Sequence, residues 1–271
     1  MKVAITGASG LVGRFFVDWA SGAGHEVRIL SRETGYRLGD RPDLGGMDLV
    51  VHCAFAHVKG RYRGGEGDDP EGFIRANLDG SIVLFEAAKT SDVPRVVFLS
   101  SRAVYGDYPA GTELAEDLPP RPDTLYGRVK LQAEEALLTL SDTHFIGQCL
   151  RATGVYGALG ADNKWAGLFE DFASGLTPPP RAATEVHGAD LARTIEALAL
   201  APSGVYNVSD ITIDTHDILG RVAALTGCAT PLPARQTTPV SAMNTARLEG
   251  LGWKKGGWER LDETLPLLIR R

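Results

Sequence analysis

Lys2-Val-Ala-Ile-Thr-Gly-Ala-Ser-Gly-Leu-Val-Gly13 is the stretch that decides the fold. Val3 to Ile5 reads as a short β-strand, and Leu11 to Trp19 reads as a helix. Between them lie Gly7, Gly10 and Gly13. The first glycine permits a tight turn, the second lets a phosphate approach the backbone, and the third lets helix and strand pack closely. The helix start then offers unpaired N–H groups to a pyrophosphate. A glycine pattern alone is a weak signal; its place between a strand and a helix makes it specific for a dinucleotide. The expected contacts come from Gly7, Ser9, Gly10, Leu11 and Val12.

Working outward, β-rich runs alternate with helical ones. Gly24-His25 closes the first helix, and Glu26 to Leu30 is the next strand. Asp48 to Cys53, Arg95 to Ser100 and Phe145 to Leu150 read as further strands. Ala76 to Ala88 and Leu125 to Leu140 read as helices, the latter with apolar residues at helical spacing. Such alternation implies a parallel sheet covered on both faces. The expected fold is therefore α/β, a doubly wound parallel sheet of the Rossmann kind with a small C-terminal substrate lobe. Residues 1–155 form the cofactor domain, and 156–271 form mostly the lobe, with segments near 183–211 returning to the sheet. Lys59 to Pro70, rich in glycine and charge, is expected to be a mobile loop, and Gly157 to Trp165 an irregular one. Pro178-Pro-Pro180 breaks the helix that follows, Gly204 to Val208 reads as a strand, and Thr215 to Leu225 reads as a helix.

The second strand ends at Leu30-Ser31-Arg32 with no carboxylate at its tip, where an acidic residue would hold the ribose hydroxyls of NAD. Arg32 can pair with a 2′-phosphate and Ser31 can hydrogen-bond it, which favours NADP(H) over NAD(H), although Glu33 adjoins. Asp40 marks either the loop that receives the adenine or an ordinary turn.

Tyr126-Gly-Arg-Val-Lys130 supplies the chemistry. Residues four apart share one face of a helix. A free tyrosine, with a pKa near ~10, is a poor base at neutral pH. A neighbouring ammonium favours the phenolate, so the hydroxyl can both give and take a proton. Ser100-Ser101 ends a parallel strand, where ligands of such sheets bind.

The bulk properties fit a soluble globular protein. Among 271 residues, 44% are hydrophobic and 23% charged, and the formal net charge is −6, so no nucleic-acid partner is expected. No apolar run is long enough to span a bilayer, and the first residues lack the apolar core of a signal peptide. Cys53, Cys149 and Cys228 are far apart and the six histidines are scattered, so neither a disulfide framework nor a metal site is expected. The expected compartment is a reducing cytoplasm.

Taken together, the chain resembles the extended short-chain dehydrogenase/reductase superfamily, in its NAD(P)-dependent epimerase/dehydratase branch. Thr6 to Gly13 is similar to that family's Thr-Gly-x-x-Gly-x-x-Gly, and Ser100-Ser-Arg-Ala-Val-Tyr-Gly106 to its Ser-Ser-x-x-Val-Tyr-Gly. Asp48 to Ala54, Asn77-Leu-Asp-Gly80, Arg151 to Gly157, Val186-His-Gly-Ala-Asp190 and Leu251-Gly-Trp253 resemble further elements of it. The resemblance implies Ser101, Tyr126 and Lys130 as the catalytic set. It places Ala54, Phe55, Ala56, Asn77 and Thr153 beside the cofactor, with Tyr126 and Lys130. It also implies a homodimer through the Ala76 to Ala88 and Leu125 to Leu140 helices. Two departures narrow the chemistry. Arg102-Ala103 stands where sugar-nucleotide dehydratases carry Asp-Glu, which argues against 4,6-dehydration. Ala183 stands where many nucleotide-sugar enzymes carry an arginine. The short length, Leu125-Tyr-Gly127 and Trp253 are also reminiscent of uronate dehydrogenases, whose NAD preference the second strand does not match.

Three readings follow. The first is an oxidoreductase interconverting a hydroxyl and a ketone on a sugar-like or small polar substrate. The second is an epimerase that retains its cofactor. The third is a cofactor-sensing regulator without chemistry, against which Tyr126 and Lys130 both count. Candidate substrate contacts are His57, Arg102, Asn163 and Trp165. His57 is otherwise a solvated loop histidine, and Trp165 a packing residue.

Overall fold

The computed structural model describes residues 1–58, 65–159 and 163–269. Parts of the two expected irregular loops, 59–64 and 160–162, lie outside the described residues.

Strands β1 (Lys2–Thr6), β2 (Glu26–Leu30) and β3 (Leu49–His52) alternate with helix α1 (Leu11–Gly22) and a helical run made of α2 (Pro70–Ile74), a π-turn (Arg75–Asp79) and α3 (Gly80–Thr90). Then come β4 (Arg95–Ser101), α4 (Leu125–Leu140), β5 (Ile146–Ala152), β6 (Gly154–Tyr156), α5 (Ala166–Ala173) and β7 (Ala182–His187). The chain continues with α6 (Gly188–Ala192), α7 (Thr194–Ala197), β8 (Gly204–Val208), β9 (Ile211–Asp214), α8 (Thr215–Thr226), α9 (Ala246–Glu249) and α10 (Gly257–Ile269).

Six strands form one sheet in the order β2-β1-β3-β4-β5-β8, every pair parallel. The chain runs from β1 to β2 on one side and then places β3 on the other side of β1. That reversal opens a crevice beyond the carboxyl ends of β1 and β3, the place where ligands bind in open α/β sheets. This is the doubly wound Rossmann architecture expected from the glycine-bearing turn.

Both faces of the sheet are covered. Phe15, Phe16 and Ala20 of α1 pack with Leu191 and Ile195 over Val3, Ile5 and Val51. On the other face, Leu84 and Phe85 of α3 and Ala133 and Leu137 of α4 pack over Ala4, Val50, Val96 and Phe98. Successive strand residues thus serve opposite faces, which is why these strands read as continuous apolar runs.

A second, three-stranded sheet joins β6, β7 and β9, with β6–β7 parallel and β7–β9 antiparallel. Its helices α5, α8 and α10 build a separate core from Trp165, Phe169, Phe172, Ile218, Leu219, Leu261 and Leu265. The sequence reading does not contain this sheet. Gly154–Tyr156 is only three residues long, and its partner β7 lies about 30 residues away.

The helix expected from Ala76 begins earlier, at Pro70, behind the Asp69 N-cap, whose side chain accepts from Gly72 N. It is interrupted by the π-turn. There the Asn77 amide donates to Phe73 O, and Ser81 Oγ donates to Asn77 O. Two side chains bonded to carbonyls of the preceding turn accompany the widening of the helix by one residue.

Candidate active site

The glycine turn has the shape its sequence requires. Gly7 has a φ of 69°, and its carbonyl accepts from Gly10 N at 3.0 Å. A Cβ on Gly13 would lie 2.1 Å from Gly7 O, so only glycine lets α1 start this close to β1. No side chain caps α1 at Gly10. The first-turn N–H groups therefore meet the requirement for a phosphate cradle.

Beside this turn is a cavity of about 520 Å³, lined by Ser9, Arg14, Asp18, Ser31, Arg32, Glu33 and Leu159 among others. Arg14 was missing from the expected contacts, yet it directly follows the third glycine. Ser31 caps a short 3₁₀ turn, and its N–H donates to Thr34 Oγ1 at 2.9 Å. Two cations and two anions share the cavity wall, so its local charge is balanced. Asp40 lies away from this wall, and its carboxylate accepts from Arg37 N in an exposed turn.

The loop after β3 is fixed from below. His52 is fully buried, and its Nδ1 lies 2.6 Å from Thr6 Oγ1 while its Nε2 lies 2.9 Å from Ser81 Oγ. Ala54 N donates to Thr6 Oγ1 at 3.1 Å, so the threonine proton goes to His52 Nδ1. Nε2–H then donates to Ser81, whose own proton goes to Asn77 O. Burial, assisted by the Lys130 charge, lowers the His52 pKa to about 3, so the ring stays neutral. Asn77 completes the circuit: its Oδ1 accepts from Ala56 N at 2.6 Å and its Nδ2 donates to Ala56 O at 2.8 Å. Asn77 therefore shapes the Ala54–Ala56 loop with its whole amide. Sequence reasoning overlooked His52, which sits in a strand and offers no local motif.

Phe55, on that loop, meets Tyr126 edge to face with ring centroids 5.0 Å apart. Lys130 is 2% exposed. Its Nζ donates to Leu99 O at 2.7 Å and lies 4.4 Å from the Phe55 ring centroid, 4.6 Å from that of Phe98 and 5.9 Å from that of Tyr126. Burial lowers its pKa to about 7, opposed by the charge of Glu134. The α4 helix starts behind Thr124, whose hydroxyl accepts from Gly127 N at 3.0 Å. A Cβ on Gly127 would lie 2.5 Å from Ala103 O, so this helix end presses against the turn that follows β4. That contact draws Tyr126 and Ser101 to the same end of the sheet.

The two serines of β4 separate cleanly. Ser100 is buried and donates to Glu134 Oε1, whereas Ser101 is half-exposed and its Oγ accepts from Ala103 N at 3.1 Å. Behind them Arg151 and Glu134 form a buried pair, with Nη2 to Oε2 at 2.7 Å. The Arg151 guanidinium lies 4.9 Å from the Tyr105 ring, and Tyr105 donates to Asn207 Oδ1 at 2.7 Å.

The remaining candidates are dispersed. Thr153 donates to Thr184 O at 2.6 Å, next to the second sheet. His57 is exposed, with Nδ1 3.3 Å from Phe55 O. Arg102 donates from Nη2 to Ser241 O at 3.0 Å, tying the β4 end to a distant loop. Asn163 spends its amide on Leu268 O and Trp165 N. Trp165 is 8% exposed and stacks on Tyr156 at 5.3 Å. It also walls a second cavity of about 200 Å³, with Lys164, Arg181, Ala183 and Glu185. Among the described residues no helix is long and apolar enough to cross a membrane.

Comparison with known proteins agrees with this fold. The family model described as NAD dependent epimerase/dehydratase family matches residues 3–193. A UDP-glucose 4-epimerase of Streptomyces lividans is 29% identical over 199 residues, covering 65% of this chain and 58% of that protein. The curated relatives are matched over between about a third and little more than half of their length. Among solved structures, MoeE5 in complex with UDP-glucose and NAD has a TM-score of 0.80 at 25% identity, covering 100% of this chain and 98% of that one. A UDP-glucose 4-epimerase of Thermus thermophilus in complex with NAD has a TM-score of 0.76 at 26% identity, with 100% and 98% covered.

Proposed function

The chain belongs to the NAD-dependent epimerase/dehydratase family, and from that premise we propose that it interconverts a hydroxyl and a ketone on a sugar-like or small polar substrate. The observation that carries this reading is Lys130, buried with its ammonium between aromatic rings and within 6 Å of the Tyr126 ring, beside a glycine cradle. A nicotinamide dinucleotide, when bound, supplies or takes the hydride. Tyr126 gives its proton to the carbonyl oxygen as the alcohol forms and takes it back in the reverse direction. Ser101 hydrogen-bonds that oxygen and aligns it. Lys130 supplies the positive charge that favours the phenolate. Tyr126→Phe is expected to abolish turnover while cofactor affinity changes less than about threefold; retained turnover removes Tyr126 from the mechanism.

NADP(H) is the proposed cofactor. Arg14, Arg32, Ser9 and Ser31 around the larger cavity support a 2′-phosphate, with Asp18 and Glu33 opposing it. Arg102, bonded to Ser241 O where a dehydratase would need an acid, supports redox chemistry without loss of water.

A second reading, epimerisation with retained cofactor, is favoured by the similarity to UDP-glucose 4-epimerases. Identifying the nucleotide released by denaturing freshly purified protein separates the two. Tightly held NAD(H) supports the epimerase, while an empty protein that rebinds NADPH supports the reductase.

A further inference from the structure

We infer that Glu134 is a positioning residue for the proton transfer: its buried carboxylate, clamped by Arg151 and Ser100, keeps the Lys130 ammonium charged and aimed beside Tyr126. This rests on the reading of Tyr126 and Lys130 given above.

Tyr126, Lys130 and Glu134 recur at four-residue spacing and share one face of α4. Glu134 is 1% exposed. Arg151 Nε lies 3.1 and 3.2 Å from its two oxygens, Nη2 lies 2.7 Å from Oε2, and Ser100 Oγ donates to Oε1. Three elements, α4, β4 and β5, therefore converge on one carboxylate. A buried ion pair gives little net stability over an apolar pair of the same volume. Fold stability alone does not explain its place directly behind the catalytic lysine.

The groups around Lys130 make Glu134 decisive. His52 and Cys53 face it from the end of β3, Cys149 faces it from β5, and Tyr126 and Glu134 face it from α4. Arg151, also on β5, is spent on Glu134. His52 is neutral near pH 7, its pKa being about 3. Burial holds both thiols protonated, with Cys53 pushed up to about 12 and Cys149 raised well above its ordinary value. Among the described residues, Glu134, paired with Arg151, is then the one carboxylate that acts on Lys130. With the lysine near 7, a further fall of one unit would cut its charged fraction at pH 7 from about a half to about a tenth.

The test is a ¹³C NMR titration of the lysine Cε resonances, with Lys130→Arg assigning its signal among the seven lysines. Glu134→Gln is expected to lower the Lys130 midpoint by about one pH unit. The rising limb of alcohol oxidation against pH should move up by a similar amount, whereas a purely structural defect lowers the rate at every pH. If removing one partner prevents folding, the double variant Glu134→Gln, Arg151→Met leaves no orphaned charge and should lower the midpoint likewise. An unchanged Lys130 midpoint in the folded variant overturns the proposal. A lowered midpoint in a protein whose wild type shows no turnover supports Glu134 acting on Lys130 and sinks the oxidoreductase reading instead.

Discussion

Two cavities among the described residues are built on opposite plans. The larger, about 520 Å³, lies where a strand turns into a helix, and most of its lining comes from residues 8–33, close together in sequence. The smaller, about 200 Å³, is walled by residues spread from Lys164 to Ile218 and belongs to the lobe core. In the first, backbone shape is the limiting quantity, because Gly7 and Gly13 allow approaches that no side chain could share. In the second, side-chain volume is limiting, because Trp165, Leu168 and Ile213 are packing residues as well as walls.

Three variants test that contrast. The largest effect is expected at Trp165, where truncation to alanine should cost about 3–5 kcal/mol of stability and leave cofactor affinity in the surviving folded fraction unchanged. Denaturant melts and calorimetric titration read both quantities, and parallel loss of the two would mean that the cavities are not independent. Gly13→Ala comes next. Its methyl would sit 2.1 Å from Gly7 O, so the turn that cradles the phosphates must shift, and about 100-fold weaker binding of either dinucleotide, about 3 kcal/mol, is expected. Normal binding by a folded Gly13→Ala protein would break the backbone argument. The smallest effect sharpens the comparison from the side-chain direction: Arg14→Ala with Arg32→Ala should weaken NADPH by about tenfold and NADH hardly at all. Equal losses for both would remove the 2′-phosphate from the account of this cavity.

The same contrast explains what could be read in advance. Lys2 to Gly13 and the alternation after it carry the parallel sheet in local sequence, as do the bounds of α4 at Leu125 and Leu140. Tyr126 and Lys130 are legible because four-residue spacing on a helix is itself a geometric statement. Glu134 continues that spacing, yet a charged residue on an amphipathic helix ordinarily reads as solvated. Arg151 hides at the end of an apolar strand, and only the fold brings it to Glu134. His52 is likewise invisible, since its partners Thr6 and Ser81 lie 46 and 29 residues away. Pairings of that kind belong to the packed sheet and have no local signature. The lobe is the least legible part, because Asn163 and Trp165 are residue types that bind sugars and also fill cores, and here their recorded contacts are structural.

The π-turn at Arg75–Asp79 carries a consequence of another kind. It amounts to one additional residue in an otherwise α-helical run, and each residue of an α-helix advances the phase by about 100°. Deleting a single amino acid there, with every side chain of the site intact, would swing Asn77 out of phase with Ala56 and unhook the loop that carries Phe55. The vulnerability of this chain to length changes is therefore concentrated in a segment that holds none of the proposed catalytic residues. A one-codon deletion there should do more harm than most substitutions around it.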